Sequence, residues 1–183
     1  MKTILIIIAV IICLLVLRYI FISIIGRKNI TQCNDVLSLI NPNLDGWAGI
    51  RLGDSYKFVL SRLKHLGFLD KEGVENQLSY YEMVGASAGI SFQATQFPGI
   101  MDGNFRFASD ERLKSISFFF QKEYSTKDNY AIFKSKMVQK FGSPVYDSGD
   151  KVGSCTVQWR NLTLTLLQDD PQKPQMLILI SPR

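Results

Sequence analysis

IRLGDSYKFVLSRLKHLG, residues 50–67, is the stretch on which the reading of the fold turns. Asp54 and Ser55 carry oxygens suited to accept a backbone N–H at a helix start. Behind them Phe58, Val59, Arg62, Leu63 and Leu66 recur at helical spacing. Gly67 is placed to close the helix in the left-handed conformation. The spacing predicts a helix over 56–66. Beyond Gly67 the period changes, and that change sets the fold class.

From Gln77 to Gln121 the pattern alternates. Ile90, Phe92 and Ala94 alternate with Ser91, Gln93 and Thr95, and Phe105 and Phe107 flank Arg106. Leu113, Ser115, Ser117 and Phe119 face one way, with Lys114, Ile116, Phe118 and Phe120 opposite. Pro98-Gly99 and Asp102-Gly103 punctuate the run, which reads as three antiparallel strands, with Tyr80-Tyr81 assigned to a fourth. The helical period then returns. Ser125 or Thr126 caps it, Ile132, Phe133, Met137, Val138 and Phe141 form its apolar face, and Gly142-Ser143-Pro144 ends it. Strands come next over 156–160, 162–167 and 176–180, with Asp169-Asp170-Pro171 as a turn between the last two.

Upstream, residues 34–40 read as a short helix stopped by Pro42, and Gly46-Trp47-Ala48-Gly49 as a turn carrying a buried ring. The expected fold is α+β: antiparallel β-meanders, each preceded by a helix, behind an N-terminal transmembrane helix. Phe58, Leu63, Leu66 and Gly67 align without a gap on Phe133, Val138, Phe141 and Gly142. That suggests a tandem helix-plus-meander repeat with halves 50–121 and 122–183. Strands and helices do not alternate closely, which argues against a doubly wound sheet.

The first residues are unlike the rest. Ile4 to Leu17 is an unbroken apolar run, Arg18 interrupts, and Tyr19 to Ile25 is again mostly apolar. At roughly 1.5 Å per residue, 4–25 is long enough for a hydrocarbon core of about 30 Å. Residues 1–28 are read as a signal anchor and 29–183 as a soluble domain. A cleaved signal peptide is the competing reading, disfavoured because small residues near a cut are poor. Neither Cys13 nor Cys33 has before it the small residues of a lipoprotein signal. Lys2 on one side and Arg27-Lys28 on the other leave orientation weakly determined. Signal-like segments export the chain behind them, so the expected location is a bacterial cell membrane, single-pass, with the domain periplasmic or otherwise extracytoplasmic.

The chain carries a net charge of +5, of which Lys2 and Arg18 supply two. The remainder has interspersed signs, with no basic block or aromatic-interleaved stripe, so nucleic acid is not an expected partner. Cys33 and Cys155 are the only cysteines left for the domain. An oxidising compartment could join them across about 120 residues for a few kcal/mol, and two unpaired half-buried thiols are the alternative.

Gly85-Ala86-Ser87-Ala88-Gly89 spells the Gly-x-Ser-x-Gly of a hydrolase nucleophile elbow. The elbow needs a helix after the serine, but a strand pattern comes after Gly89. The one histidine, His65, lies upstream of Ser87, against the chain order of that fold. The motif reads better as a turn of small residues entering a strand. One histidine and two separated cysteines make no zinc cluster, and no phosphate-binding glycine loop occurs. No catalytic residue, metal or cofactor is expected. Asp102 and Asp147 are the carboxylates on which an enzyme without histidine would rely.

The run Ile50-x-Leu-Gly53-Asp-Ser55, continued by Val59, Leu63 and Gly67, resembles the helix-opening pattern of small bacterial envelope proteins. It is similar to the outer-membrane assembly lipoprotein (SmpA/OmlA) family and to the tandem β-lactamase-inhibitor-like α+β proteins. This chain departs from both, lacking a lipobox cysteine and the inhibitors' short-range cysteine spacing. The resemblance implies a non-enzymatic protein that binds another protein through its sheet face and loops.

Independently, the strand around Phe119 carries large apolar groups on both faces, which suggests a partner. The contact residues expected from exposed-turn reasoning are Phe97, Ile100 and Met101, with Tyr80 and Tyr81. The leading expectation is a membrane-anchored binding protein, an inhibitor or immunity factor or an accessory in envelope assembly. A lipid-carrying or purely structural envelope protein is the alternative, and a carboxylate-dependent hydrolase a further one.

Overall fold

The structure is a computed structural model that describes residues 35–85, 89–94, 96–149, 154–168 and 174–182. The apolar run 4–25, and with it the expected anchor, lies outside the described residues. Cys33 does too, so the Cys33–Cys155 pairing has only one end on view: Cys155 is buried on the strand Ser154–Trp159. Among the described residues no helix is long and apolar enough to cross a membrane.

A 3-10 turn, Val36–Leu39, leads into a hairpin of β1 (Gly46–Trp47) and β2 (Ile50–Arg51). Helices α1 (Tyr56–His65) and α2 (Lys71–Val84) come next. Then come strands β3 (Ile90–Gln93), β4 (Ile100–Phe107) and β5 (Leu113–Phe120). A second 3-10 turn, Lys122–Tyr124, precedes α3 (Lys127–Phe141). Strands β6 (Tyr146–Asp147), β7 (Ser154–Trp159), β8 (Leu162–Leu167) and β9 (Gln175–Ile180) close the chain. The fold is α+β with antiparallel sheets.

Each helix start is held by a side chain, each such cap being worth about 1 kcal/mol. Ser55 Oγ accepts from Phe58 N, Asp70 Oδ1 from Gly73 N, and Thr126 Oγ1 from Asn129 N. The caps at 55 and 126 agree with the sequence reading, and Gly67 and Gly142 end the outer two helices at φ +79° and +80°. The buried faces differ from those expected. On α1 the buried residues are Tyr56, Val59, Leu60 and Leu63, while Phe58 is half exposed. On α3 Tyr130 and Met137 are buried, and Ile132 and Val138 point outward. The gapless alignment of the two helices therefore pairs buried Leu63 with exposed Val138, and only its glycine caps correspond.

Helix α2 replaces the fourth strand expected at Tyr80-Tyr81. No residue of α2 is fully buried, and its inner edge is a half-buried line of Val74, Gln77, Leu78 and Tyr81. Tyr81 stacks on Tyr56 of α1 at 4.2 Å between ring centroids. The Tyr56 hydroxyl donates to the Gln77 carbonyl at 3.0 Å. Burial, with Tyr81 alongside, pushes the Tyr56 phenol up to about 12.

The main sheet has seven strands in the order β3-β4-β5-β9-β8-β7-β6. Two meanders thus join through their last strands, with Phe118 opposite Ile178 and Ile116 opposite Ile180. On one face, Phe92, Phe118, Ile178, Leu164 and Val157 lie in one registered row, and Ile90, Phe105, Ile116, Ile180, Leu162 and Trp159 in the next. All of these are buried. The helices lie on this face. Tyr56 of α1 packs on Phe107, Phe133 of α3 meets Phe120 edge-on at 4.8 Å, and Trp159 Nε1 donates to the Gly142 carbonyl that ends α3.

Leu113, expected on the face of Phe119, is instead buried. Between Arg106↔Ser115 and Phe107↔Leu113 the register shifts, leaving Lys114 as an extra residue. This bulge turns Leu113 back to the inner face.

Trp47 is the centre of the inner layer. It is fully buried, with ring centroids 4.9 Å from Phe118, 5.1 Å from Phe68, and 5.9, 6.1 and 6.4 Å from Phe97, Phe92 and Phe105. Its Nε1 donates to the Val36 carbonyl, so the ring's polar edge is satisfied inside the core.

Candidate functional site

Strand alternation sends every second residue to the face opposite the helices. Across the middle of that outer face the registered neighbours are Asp102, Phe119, Leu177, Thr165 and Thr156. Beside them run Asn104, Ser117, Leu179, Thr163 and Gln158. Phe119, Leu177 and Leu179 are half-buried and adjoin one another, since Phe119 opposes Leu177 and Leu179 is two residues on. The surrounding hydroxyls and amides give this apolar centre a polar rim. Thr156 and Thr165 hydroxyls meet at 3.3 Å, which orders part of it.

Met101 extends the patch. Ile100 pairs with Phe120 and Asp102 with Phe119, so Met101 is an extra residue in β4. The bulge leaves Met101 45 % exposed next to the outer-face Asp102.

The other expected contact residues do not join it. Phe97 is 1 % exposed and Ile100 fully buried. Phe97 N bonds Ala94 O and Ile100 N bonds Phe97 O, so the Pro98-Gly99 turn is tight and folds both apolar ends inward, Phe97 against Trp47. Tyr80 is 47 % exposed on α2, away from the patch and beside β3. Tyr81 is half-buried between Tyr56 and Glu111, whose carboxylate, as hydrogen-bond acceptor, raises the phenol's pKa. Leu177 and Leu179 escaped sequence reasoning because β9 is apolar at nearly every position.

The catalytic alternatives find little geometry. Gly85 ends α2 at φ +63° and a strand begins at Ile90, so a helix precedes the serine and a strand comes after it, the reverse of a nucleophile elbow. Ser87 lies outside the described residues, as do Asp169 and Asp170. Asp102 is on β4 and Asp147 on β6, five strand positions apart in the sheet. At about 4.8 Å per strand that separates them by roughly 24 Å, whereas paired hydrolytic carboxylates stand about 5–9.5 Å apart.

Asp147 is engaged by Lys134 of α3, which holds its carboxyl below the usual value of 3.8, helped by the Gly149 N–H. A depressed folded-state pKa stabilises the fold above the unfolded value and loses that stabilisation as pH falls through the folded one. Both side chains are about a third exposed, so the pair contributes no more than about 1 kcal/mol. Lys134→Met is expected to lower the denaturation midpoint at pH 7, and the deficit should shrink once the pH falls below 3.8 and through the lowered folded-state value. Chemical denaturation at neutral and at acid pH measures this, and an equal loss at both would show that the ion pair is not the cause.

Comparison with family models, with curated proteins and with solved structures yields no match to this chain.

Proposed function

We propose that this chain is a non-enzymatic protein-binding protein of the bacterial envelope. Residues 4–25 anchor it in the cell membrane, and the folded domain stands on the periplasmic or extracytoplasmic side. The observation that carries the reading is the outer-face patch. Phe119, Leu177 and Leu179, extended by Met101, place large apolar groups on the sheet face opposite α1 and α3. Apolar centre and polar rim are the usual anatomy of a protein interface. An inhibitor or immunity role, or an accessory role in envelope assembly, fits a surface of this kind, in line with the sequence resemblance.

Two features weigh against the other readings. The space beneath the first meander is occupied by Trp47 and its five phenylalanine neighbours rather than by lipid-sized room. The two carboxylates of a histidine-free hydrolase sit on strands too far apart to share a substrate bond.

The test is affinity capture from the native envelope with the full-length chain and with a Phe119→Ser/Leu177→Ser variant of unchanged melting temperature. Burying each large side chain contributes about 1.5–3 kcal/mol, so recovery of the specific partner is expected to fall at least about tenfold in the variant. Equal recovery by both would overturn the assignment of this face.

A further inference from the structure

Toward the β3 edge, the sheet's outer face deepens into an open cavity of about 440 Å³, lined by Tyr80, Gly89, Ser91, Asn104, Arg106 and Phe107. This is within the size range of small-ligand sites. Its hydrogen bonding is incomplete. The Asn104 Nδ2 donates to Ser91 Oγ at 3.1 Å, but Asn104 Oδ1 is sheltered from solvent and has no partner among the described residues. Gln77, one turn before Tyr80, repeats the pattern. Its Nε2 reaches the Ser91 carbonyl at 3.5 Å, while its Oε1 is sheltered and unpartnered. An unpartnered amide oxygen on a residue of the cavity wall, with a second on the helix turn before Tyr80, is unusual, because sheltered acceptors are nearly always paired.

Gly89 keeps the approach to one of them open. A Cβ at 89 would lie 3.5 Å from Asn104 Oδ1 and 3.2 Å from the Phe105 carbonyl. The last glycine of Gly-x-Ser-x-Gly therefore has a place here without a nucleophile elbow. Terminal amide torsions are soft, so the Asn104 oxygen can turn toward a donor that enters. Arg106, exposed on the same face, offers a planar fork of donors suited to a carboxylate. Tyr80 supplies an exposed ring.

We infer that this cavity binds a carboxylated sugar. One of its hydroxyls donates to Asn104 Oδ1, its carboxylate meets Arg106, and its ring lies against Tyr80. A peptide carboxy-terminus would also bring N–H donors and a carboxylate. It would bring an apolar side chain too, and Ser91, Asn104 and Arg106 make most of this wall polar. The cavity uses none of Met101, Phe119, Leu177 or Leu179, so it stands or falls independently of the partner face.

The probes are digalacturonate, maltose, acetate and trialanine, titrated into the full-length chain in detergent and followed by amide resonances. Digalacturonate is expected to shift Ser91, Asn104 and Arg106 selectively and to bind more tightly than the other three. Arg106→Gln, at an exposed position and with melting temperature unchanged, should weaken it at least about tenfold, to the level of maltose, since a charge-assisted pair is lost. Acetate binding equally well would make this a plain anion site, and trialanine binding more tightly a peptide site. Shifts at none of these residues with any probe would leave no site at all. Each of those three results overturns the assignment.

Discussion

Trp47→Ala is expected to cost about 4–5 kcal/mol and to lower the melting temperature by roughly 10–15 °C. Truncating a fully buried aromatic side chain removes its transfer energy and leaves a cavity. Here the lost ring touches five phenylalanines drawn from the α1–α2 connection, β3, the Pro98 turn, β4 and β5. The hydrogen bond from Nε1 goes too, leaving the Val36 carbonyl buried without its donor. Whole domains are stable by only about 5–15 kcal/mol, so the loss is a large share of the total. Denaturant unfolding monitored by circular dichroism gives the value. Trp47→Phe separates the two contributions, keeping much of the ring but not the donor, and should lie between the unmodified chain and Trp47→Ala. A loss below about 1.5 kcal/mol for the alanine variant would mean that the inner layer closes over the gap, contrary to close packing.

Gly46→Ala adds only one methyl group and is expected to destabilise by about 3 kcal/mol or more. A Cβ at 46 would fall 1.9 Å from the Ile50 carbonyl oxygen and 2.8 Å from the Arg51 Cα, both main-chain atoms. Rotamer changes cannot relieve such a clash. The β1–β2 hairpin itself must open, and it is held by a two-residue turn in which Ala48 and Gly49 both have positive φ, 54° and 80°. Opening the hairpin moves Trp47, which pairs with Ile50 in it. Gly67→Ala is the comparison: φ there is +79°, but nothing lies within 4 Å of the added carbon, so only about 1 kcal/mol of backbone strain is expected. Thermal melts of the two variants should rank them in that order. Because Gly46 and Trp47 act through one hairpin, the double variant Gly46→Ala/Trp47→Ala should lose less than the two single losses combined.

Much of the architecture was legible from periodicity and caps. Ser55, Gly67, Thr126 and Gly142 mark two helices correctly, and the alternation around Phe118 and Phe119 separates the buried from the outer face. Helix α2 was not legible, because nothing on it is fully buried and Tyr80-Tyr81 has the composition of a strand. Its half-buried line, Val74, Gln77, Leu78 and Tyr81, has the helical period but is weakened by a glutamine. The expected contact residues divide. Met101 is exposed as expected, though through a bulge rather than a loop tip. Phe97 and Ile100 go inside because a tight turn buries the apolar residues that flank it. No periodicity distinguishes Leu177 and Leu179 from Met176, Ile178 and Ile180, since β9 faces an apolar layer on one side and the patch on the other. Only the register with β5 assigns them.

The position of β9 also has a consequence for biogenesis. It comes after the other described strands in chain order, yet it is the middle one of the sheet, with β5 on one side and β8 on the other. Until residues 175–180 leave the ribosome, the two meanders have no shared edge. At about 5–20 residues per second, the first meander waits several seconds after its own synthesis for the strand that covers β5. During that wait the β5 edge, with Phe118, Phe119 and Phe120 on it, is an open template of the kind that invites pairing with other chains. Closure of this sheet thus waits on a strand made well after β5, with a helix and three further strands synthesised in between.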